Sequence, residues 1–233
     1  MKSPLFYLAE SVTETASLNE ETSKHISGVL RMQIGDRISL TDGKGNLHEA
    51  EITDHHKKKV KARILHSSFR PRKHSHQIIA CSLLKNTGRF EWFIEKSAEL
   101  GIQTIIPLLC ERTEKQTLRF ERMQQILVSA MIQSEQAYLP HLAHPALFHE
   151  VIQQQNVQHK FIAYCSEDTS IPHFKTLINR NDSSMLLVGP EGDFTLAEIN
   201  DALNKQFVPV SLGDNRLRSE TAAITGAVLM TML

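Results

Sequence analysis

The stretch SMLLVGPEGDFTLAEINDALNKQFVPVSLG, Ser184 to Gly213, decides the fold. It begins as a continuous apolar run and turns a corner through Gly189, Pro190, Glu191 and Gly192. A helical segment follows, opened by a capping box of Thr195 with Glu198 three residues on. A second apolar run, FVPVSLG, closes it. Short runs that are apolar throughout, separated by a helix, are the strands of a parallel sheet covered on both faces.

The same alternation extends towards the N-terminus. QIIACSLL, IQTIIPLL and KFIAYC read as further strands. GRFEWFIEKSAEL is an amphipathic helix with Phe90, Phe93, Ile94 and Ser97 on one side, stopped by Gly101. RFERMQQILVSAMIQSEQAYL is a long helix with Met123, Leu127, Ala130 and Met131 inward. SETAAITGAVLMTML is the last helix, capped by Ser219. Before residue 70 the pattern changes to short alternating segments, with Ile38 and Leu40, Ala50 and Ile52, then Val60, Ala62 and Ile64 on one face. Asp42 to Gly45, DGKG, supplies a hairpin turn. NEETSKHISGVLRM is expected as one helix with Ile26, Val29 and Leu30 on one face. The proline-containing, aperiodic SFRPRKHSH marks the boundary. A small barrel-like β domain over 1–72 and an α/β domain over 73–233 are expected.

The bulk composition excludes several classes. The chain has 233 residues, 41% hydrophobic and 22% charged, ordinary for a soluble globular protein. No run approaches the roughly 18–20 apolar residues of a membrane span, and the first residues do not read as a signal peptide. Three separated cysteines, Cys81, Cys110 and Cys165, argue for reduced thiols and a cytoplasmic setting. Net charge is zero, but KKKVKARILHSSFRPRK, Lys57 to Lys73, carries basic residues and no acid. Such a run is either a solvated strand edge or a contact surface for a phosphate backbone. The histidine pairs in DHH (Asp54–His56) and HSH (His74–His76) offer too few ligands in reach of one ion, so no metal site is expected.

Glycine-rich corners at the carboxyl ends of parallel strands are the usual ligand sites of α/β sheets. VGPEGDF and SLGDNRLRSETA are two such corners. Neither has the lysine of a triphosphate-binding loop or the glycine spacing of a dinucleotide fingerprint. Proline and glycine together suit a flat adenine and a ribose held by main-chain groups.

LLVGPEGDFTLAEI followed by VSLGDNRLRSETAAITGAVL resembles the C-terminal signature of the RsmE family, bacterial 16S ribosomal RNA (uracil-N3)-methyltransferases of the SPOUT superfamily. The resemblance covers nearly the whole chain. HISGVLRMQIGDRISLTDGKG is similar to that family's N-terminal PUA-like barrel, with Arg31 in VLR and Gly35-Asp36 in GD. Lys96, Glu99, Leu100 and Gly101 resemble its K-x-x-E-L-G segment, and Glu135-Gln136 its EQ segment. The resemblance implies a trefoil-knotted catalytic domain over 73–233, a PUA-like RNA-binding domain over 1–72, and a homodimer with the substrate site across the interface. It implies S-adenosylmethionine held by Gly189, Pro190, Glu191 and Gly192, by Leu212 and Gly213, and by Leu217, Arg218, Thr221 and Ala222, with the stretch near Cys165 bordering it.

Two departures stand out. The family's commonest GPEGG is here GPEGD, and Asp193 is expected to be a solvent-facing acid favoured by the helix dipole. A basic residue common after EQ is replaced by AYLP, so Tyr138 or a nearby cation is expected to substitute.

A sulfonium methyl needs no activation by protein; the acceptor must be held in line and water kept out. Uracil N3 carries a proton, so charge on the uracil oxygens must be stabilised. Arg218 is the candidate for that role, against a structural pairing with Glu220 or Glu191. Glu220 is a candidate base, or else orders its loop. N3 lies on the Watson–Crick edge, so the target must be unpaired or extruded. Arg31, Lys57, Lys58, Lys59, Lys61, Arg70, Arg72 and Lys73, with Arg89 and Lys96, are candidate contacts to 16S ribosomal RNA or the small ribosomal subunit. Two rivals stay open at this point: a non-catalytic RNA-binding or ribosome-assembly protein on the same fold, and a methyltransferase acting on a ribose 2′-hydroxyl or a transfer RNA base.

Overall fold

The computed structural model describes residues 3–7, 14–56, 58–72, 76–154, 156–166, 168 and 170–232. The chain divides into two compact units: Met1–Arg72 with Met131–Leu139, and Lys73–Ala130 with Pro140–Leu233.

In the first unit β1 (Leu5–Tyr7), β2 (Thr15–Ser17), β3 (Arg37–Thr41), β4 (Asn46–His56) and β5 (Lys59–Phe69) form one sheet in the order β1-β3-β4-β5-β2. β1 and β3 are parallel and the other pairs antiparallel. Alternation buries Ile38, Leu40, Ala50, Ile52, Val60 and Ala62 completely, as the period of two requires. Phe6 and Ala16, from the two edge strands, join the same core. A sheet whose two edges share one core is curled into a barrel-like form. The DGKG turn forms as expected: Gly43 and Gly45 have φ of 69° and 105°, and the Asp42 carboxylate accepts from Lys44 N at 2.7 Å and Asn46 N at 3.1 Å.

The expected single helix before it is broken. α1 (Glu20–Lys24), capped by the Asn19 side chain, gives way to a π-helical turn over His25–Val29. Leu30 N donates to His25 O across five residues. The wider turn keeps Ile26 in the core but swings Val29 and Leu30 out, 69% and 41% exposed.

The second unit holds β6 (Gln77–Ser82), β7 (Thr104–Leu109), β8 (His141–Leu142), β9 (Ala146–Leu147), β10 (His159–Ala163), β11 (Ser184–Val188) and β12 (Val208–Val210). The order is β12-β10-β11-β6-β7, with β8 and β9 both on β7, and every pair is parallel. The helices are α2 (Thr87–Leu100), α3 (Phe120–Gln133), α4 (Phe148–Val151), α5 (Leu196–Asn204) and α6 (Ser219–Met232). Asn86 caps α2, and Gly101 at φ 85° ends it; Gly101 N donates to Ala98 O and Ile102 N to Ser97 O, a Schellman closure. α6 starts one residue past its cap: Ala222 N donates to Arg218 O, so Arg218, not Ser219, holds the capping position.

The central strands β6, β7, β10 and β11 are buried on both faces, so neighbouring residues serve different layers. Ile78, Ala80, Met185 and Leu187 pack with Phe148, Val151 and Ala202 of α4 and α5. Leu186 points the other way, onto Gly226 of α6, where a β-carbon would collide with its side chain. α5 and α6 therefore lie on opposite faces, and the chain crosses between them through β12. β12 pairs with β10 on one side; on the other, Phe174 N donates to Ser211 O and Ser211 N to Pro172 O, both at 2.9 Å. Pro172 and Phe174 belong to the connection between β10 and β11, so β12 is threaded between β10 and the loop that leaves β10. No local sequence pattern encodes this long-range arrangement.

Candidate active site

The loops after β10, β11 and β12 meet at the carboxyl end of the sheet and enclose a cavity of about 820 Å³, within the size range of small-molecule sites. Tyr164, Cys165, Ser166, Asp168, Ile171 and His173 line it from the first loop. Gly189, Pro190, Glu191 and Asp193 come from the second, and Ser211 through Ser219 with Ala222 from the third. Of the residues expected to hold a cofactor, Gly189, Pro190, Glu191, Leu212, Gly213, Leu217, Arg218 and Ala222 line the cavity. Gly192 and Thr221 do not: Gly192 O accepts from Arg112 Nη1 at 2.7 Å, and Thr221 is exposed on α6.

Two glycines of the wall have identifiable reasons. A β-carbon on Gly189 would sit 3.2 Å from the Phe194 ring and from Phe194 N. Gly213 has φ 141°, a conformation side chains resist, and its N–H donates to Ser211 Oγ. The Glu191 carboxylate accepts from Lys85 N at 3.1 Å and braces the corner against the end of β6. Among the described residues the lining carries acids, Asp168, Glu191, Asp193 and Asp214, and two arginines, Arg216 and Arg218, but no lysine. Mixed charge and exposed main chain suit a zwitterion bearing a flat ring better than a polyphosphate.

Asp193 departs from expectation. It does not face solvent as a helix-end acid: its Oδ2 accepts from Cys165 N and its Oδ1 from Phe194 N, each at 2.8 Å, and its φ is 62°. Cys165 is the exposed thiol of the three; burial and then the Asp193 carboxylate raise its pKa, against the Arg216 guanidinium. Cys81 and Cys110 are buried, and burial pushes Cys110 up to about 12.

The two candidate catalytic residues have different surroundings. Arg218 is exposed on the cavity wall, and among the described residues its guanidinium makes no ion pair. Neither proposed partner is paired with it: Glu191 accepts from Lys85 N, and Glu220 Oε1 lies 3.5 Å from Arg89 Nε. Glu220 is 7% exposed, lies outside the cavity lining, and leaves Oε2 without a hydrogen-bond partner.

The candidate RNA contacts do not form one patch. Lys57 and Lys73, like His74 of the HSH triplet, lie outside the described residues. Lys58 and Lys59 stand at one end of β5 and Arg70 and Arg72 beyond the other, roughly 33 Å apart at strand rise. Lys61 lies 3.7 Å from Asp54. Arg31 is exposed with φ 52°. Arg70 Nη1 donates to Glu135 O, and the Arg72 guanidinium covers the Tyr138 ring at 4.2 Å. Tyr138 Oη in turn donates to Arg70 O at 2.8 Å, so AYLP brings an aromatic and two arginines together where the family pattern has one cation. Exposed Phe69 adjoins them, a residue the charge pattern passed over. Lys96 is held by Glu95 and Glu99 at 2.7 and 2.8 Å, and Arg89 by Glu220, so neither presents a free charge.

Comparison with known proteins adds independent findings. Residues 71–231 match an RNA methyltransferase domain family, and residues 18–65 an RNA methyltransferase PUA domain. A protein of Synechocystis sp. named ribosomal RNA small subunit methyltransferase E is 30% identical over 91% of this chain and 71% of its own length. The crystal structure of a probable rRNA-methyltransferase from Porphyromonas gingivalis superposes with a TM-score of 0.91 at 31% identity, covering 98% of both chains. That of a ribosomal RNA small subunit methyltransferase E from Neisseria gonorrhoeae bound to S-adenosyl methionine gives 0.89 at 28% identity, over 99% of this chain and 98% of the other.

Proposed function

This chain belongs to the family of ribosomal RNA small subunit methyltransferase E, and from that premise we propose that it methylates N3 of one uridine in 16S ribosomal RNA. It is an S-adenosylmethionine-dependent rRNA methyltransferase. The observation that carries the reading is the cavity of about 820 Å³ at the carboxyl ends of β10, β11 and β12, with the constrained glycines Gly189 and Gly213 in its lining.

The residues present fit the donor. Gly189, Pro190, Leu212, Gly213 and Leu217 would hold the adenosyl part through main-chain groups and apolar contact. When bound, S-adenosylmethionine supplies an electrophilic methyl on a sulfonium. Arg218, which makes no ion pair among the described residues, opposes negative charge on the uracil oxygens as N3 gives up its proton to solvent water. Glu220 positions Arg89 and the first turn of α6, since it lies off the cavity wall. The first unit, with Arg31, Lys58, Lys59, Arg70 and Arg72, grips flanking RNA backbone, and base identity is read elsewhere. Exposed apolar side chains on α2 and α6, Trp92 and Met232, support a homodimer as the acting form. No described helix is long and apolar enough to cross a membrane, and the proposed place of action is the cytoplasm, where ribosomes assemble.

Small-subunit RNA from cells with and without the gene tests the acceptor. Loss of one 3-methyluridine on deletion, restored by the purified enzyme, is the expected result. An unchanged nucleoside profile, or loss of a 2′-O-methyl mark instead, would remove the uridine-N3 assignment. Cys165 offers a direct report on donor binding. A thiol reagent should modify it first in the folded protein, more slowly than a free cysteine near neutral pH because its pKa is raised. Saturating S-adenosylmethionine should slow that modification about tenfold, and equal rates with and without donor would place the donor elsewhere.

A further inference from the structure

We propose that Asp193 is a positioning residue, a latch that ties the corner after β11 to the chain leaving β10 and so keeps the cofactor cavity closed around its donor. The inference rests on the reading of this cavity as the donor site.

Several observations converge on this residue. Its φ of 62° lies where a glycine is comfortable and a side chain is strained. The side chain uses both carboxylate oxygens on main-chain donors: Cys165 N from the loop after β10 and Phe194 N from its own corner, each at 2.8 Å. The second bond steadies the carboxylate and the first spans the two loops. Bonds from N–H to an ionised carboxylate are stronger than neutral ones. Asp193 N also donates to Pro190 O at 2.9 Å, which closes the turn and aims the carboxylate. The third loop reaches the same point, since the Cys165 thiol feels Asp193 and Arg216 in opposite directions. Asp193, Cys165 and Arg216 all line the cavity. Breaking the Asp193–Cys165 bond removes a side-chain tie between two of its three walls just beyond the point where β10 and β11 stop pairing.

The test is the series Asp193→Gly, Asp193→Asn and Asp193→Ala in the full-length protein. Asp193→Gly removes strain and latch together, so its melting temperature should equal or exceed that of the unaltered protein. Its Kd and KM for S-adenosylmethionine should nonetheless rise about tenfold, with kcat at saturating donor within about twofold. Asp193→Asn keeps a single acceptor oxygen and should fall between, and Asp193→Ala should lose affinity and stability alike. Hydrogen exchange at the Cys165 amide, measured without donor, should speed at least tenfold in Asp193→Gly. Unaltered donor affinity in Asp193→Gly, or unaltered exchange at Cys165, would overturn the latch. Failure of the unaltered protein to bind donor would instead remove the donor-site reading, with the exchange rate still deciding whether the latch exists.

Discussion

Replacing Arg218 with alanine should lower turnover at saturating S-adenosylmethionine by about a hundredfold or more and should change the donor Kd less than about threefold. The magnitude is that of removing a donor aimed at developing negative charge, about 100- to 1,000-fold. The split between turnover and affinity follows from placement. The Arg218 carbonyl caps α6 through Ala222 N, which fixes the backbone, while the guanidinium stands exposed and unpaired at the cavity wall. Arg218→Lys keeps the charge without the planar fork and should recover only part of the rate. Steady-state kinetics alongside calorimetric titration of the donor decide the matter. A parallel fall in affinity and turnover would make Arg218 a cofactor-loop residue.

Phe174→Ala should cost about 3–5 kcal/mol of folding stability. Phe174 is fully buried, its ring meets Phe161 edge-on at 4.9 Å, and its N–H holds Ser211 O just beyond β12. Emptying that site loosens the segment that encloses β12, so donor affinity should fall with stability. For a chain of this size the melting temperature should drop by about 6–20 °C. Leu177→Ala, close by but 39% exposed, is the control and should move it by less than about 2 °C. Equal effects of the two substitutions would contradict the packing described for the threaded loop.

The parts of this fold that were legible in the sequence are those specified by neighbours in the chain. The corner at Gly189, the capping box of Thr195 and Glu198, and the Gly101 stop each act within a few residues, and each forms as read. The threading was not legible from the residues themselves, because it depends on β12 choosing the edge of β10 and on Pro172–Phe174 closing behind it. For the same reason Asp168, Ile171 and His173 reach the cavity from a loop with no glycine signal. Val29 and Leu30 fit a helical period that the π turn interrupts. The basic run was legible as charge but not as layout, since an extended strand carries its two ends far apart. The place of Asp193 is not legible in its charge, because its backbone sign fixes where the carboxylate points.

The most direct measurement is a crystal structure of the protein grown with S-adenosylmethionine. The account requires the adenosyl group in the cavity bounded by Gly189, Leu212, Gly213 and Leu217, with main-chain atoms as its hydrogen-bond partners and the methyl turned towards Arg218. Donor density at another place, or that cavity filled by the protein's own side chains, would contradict it.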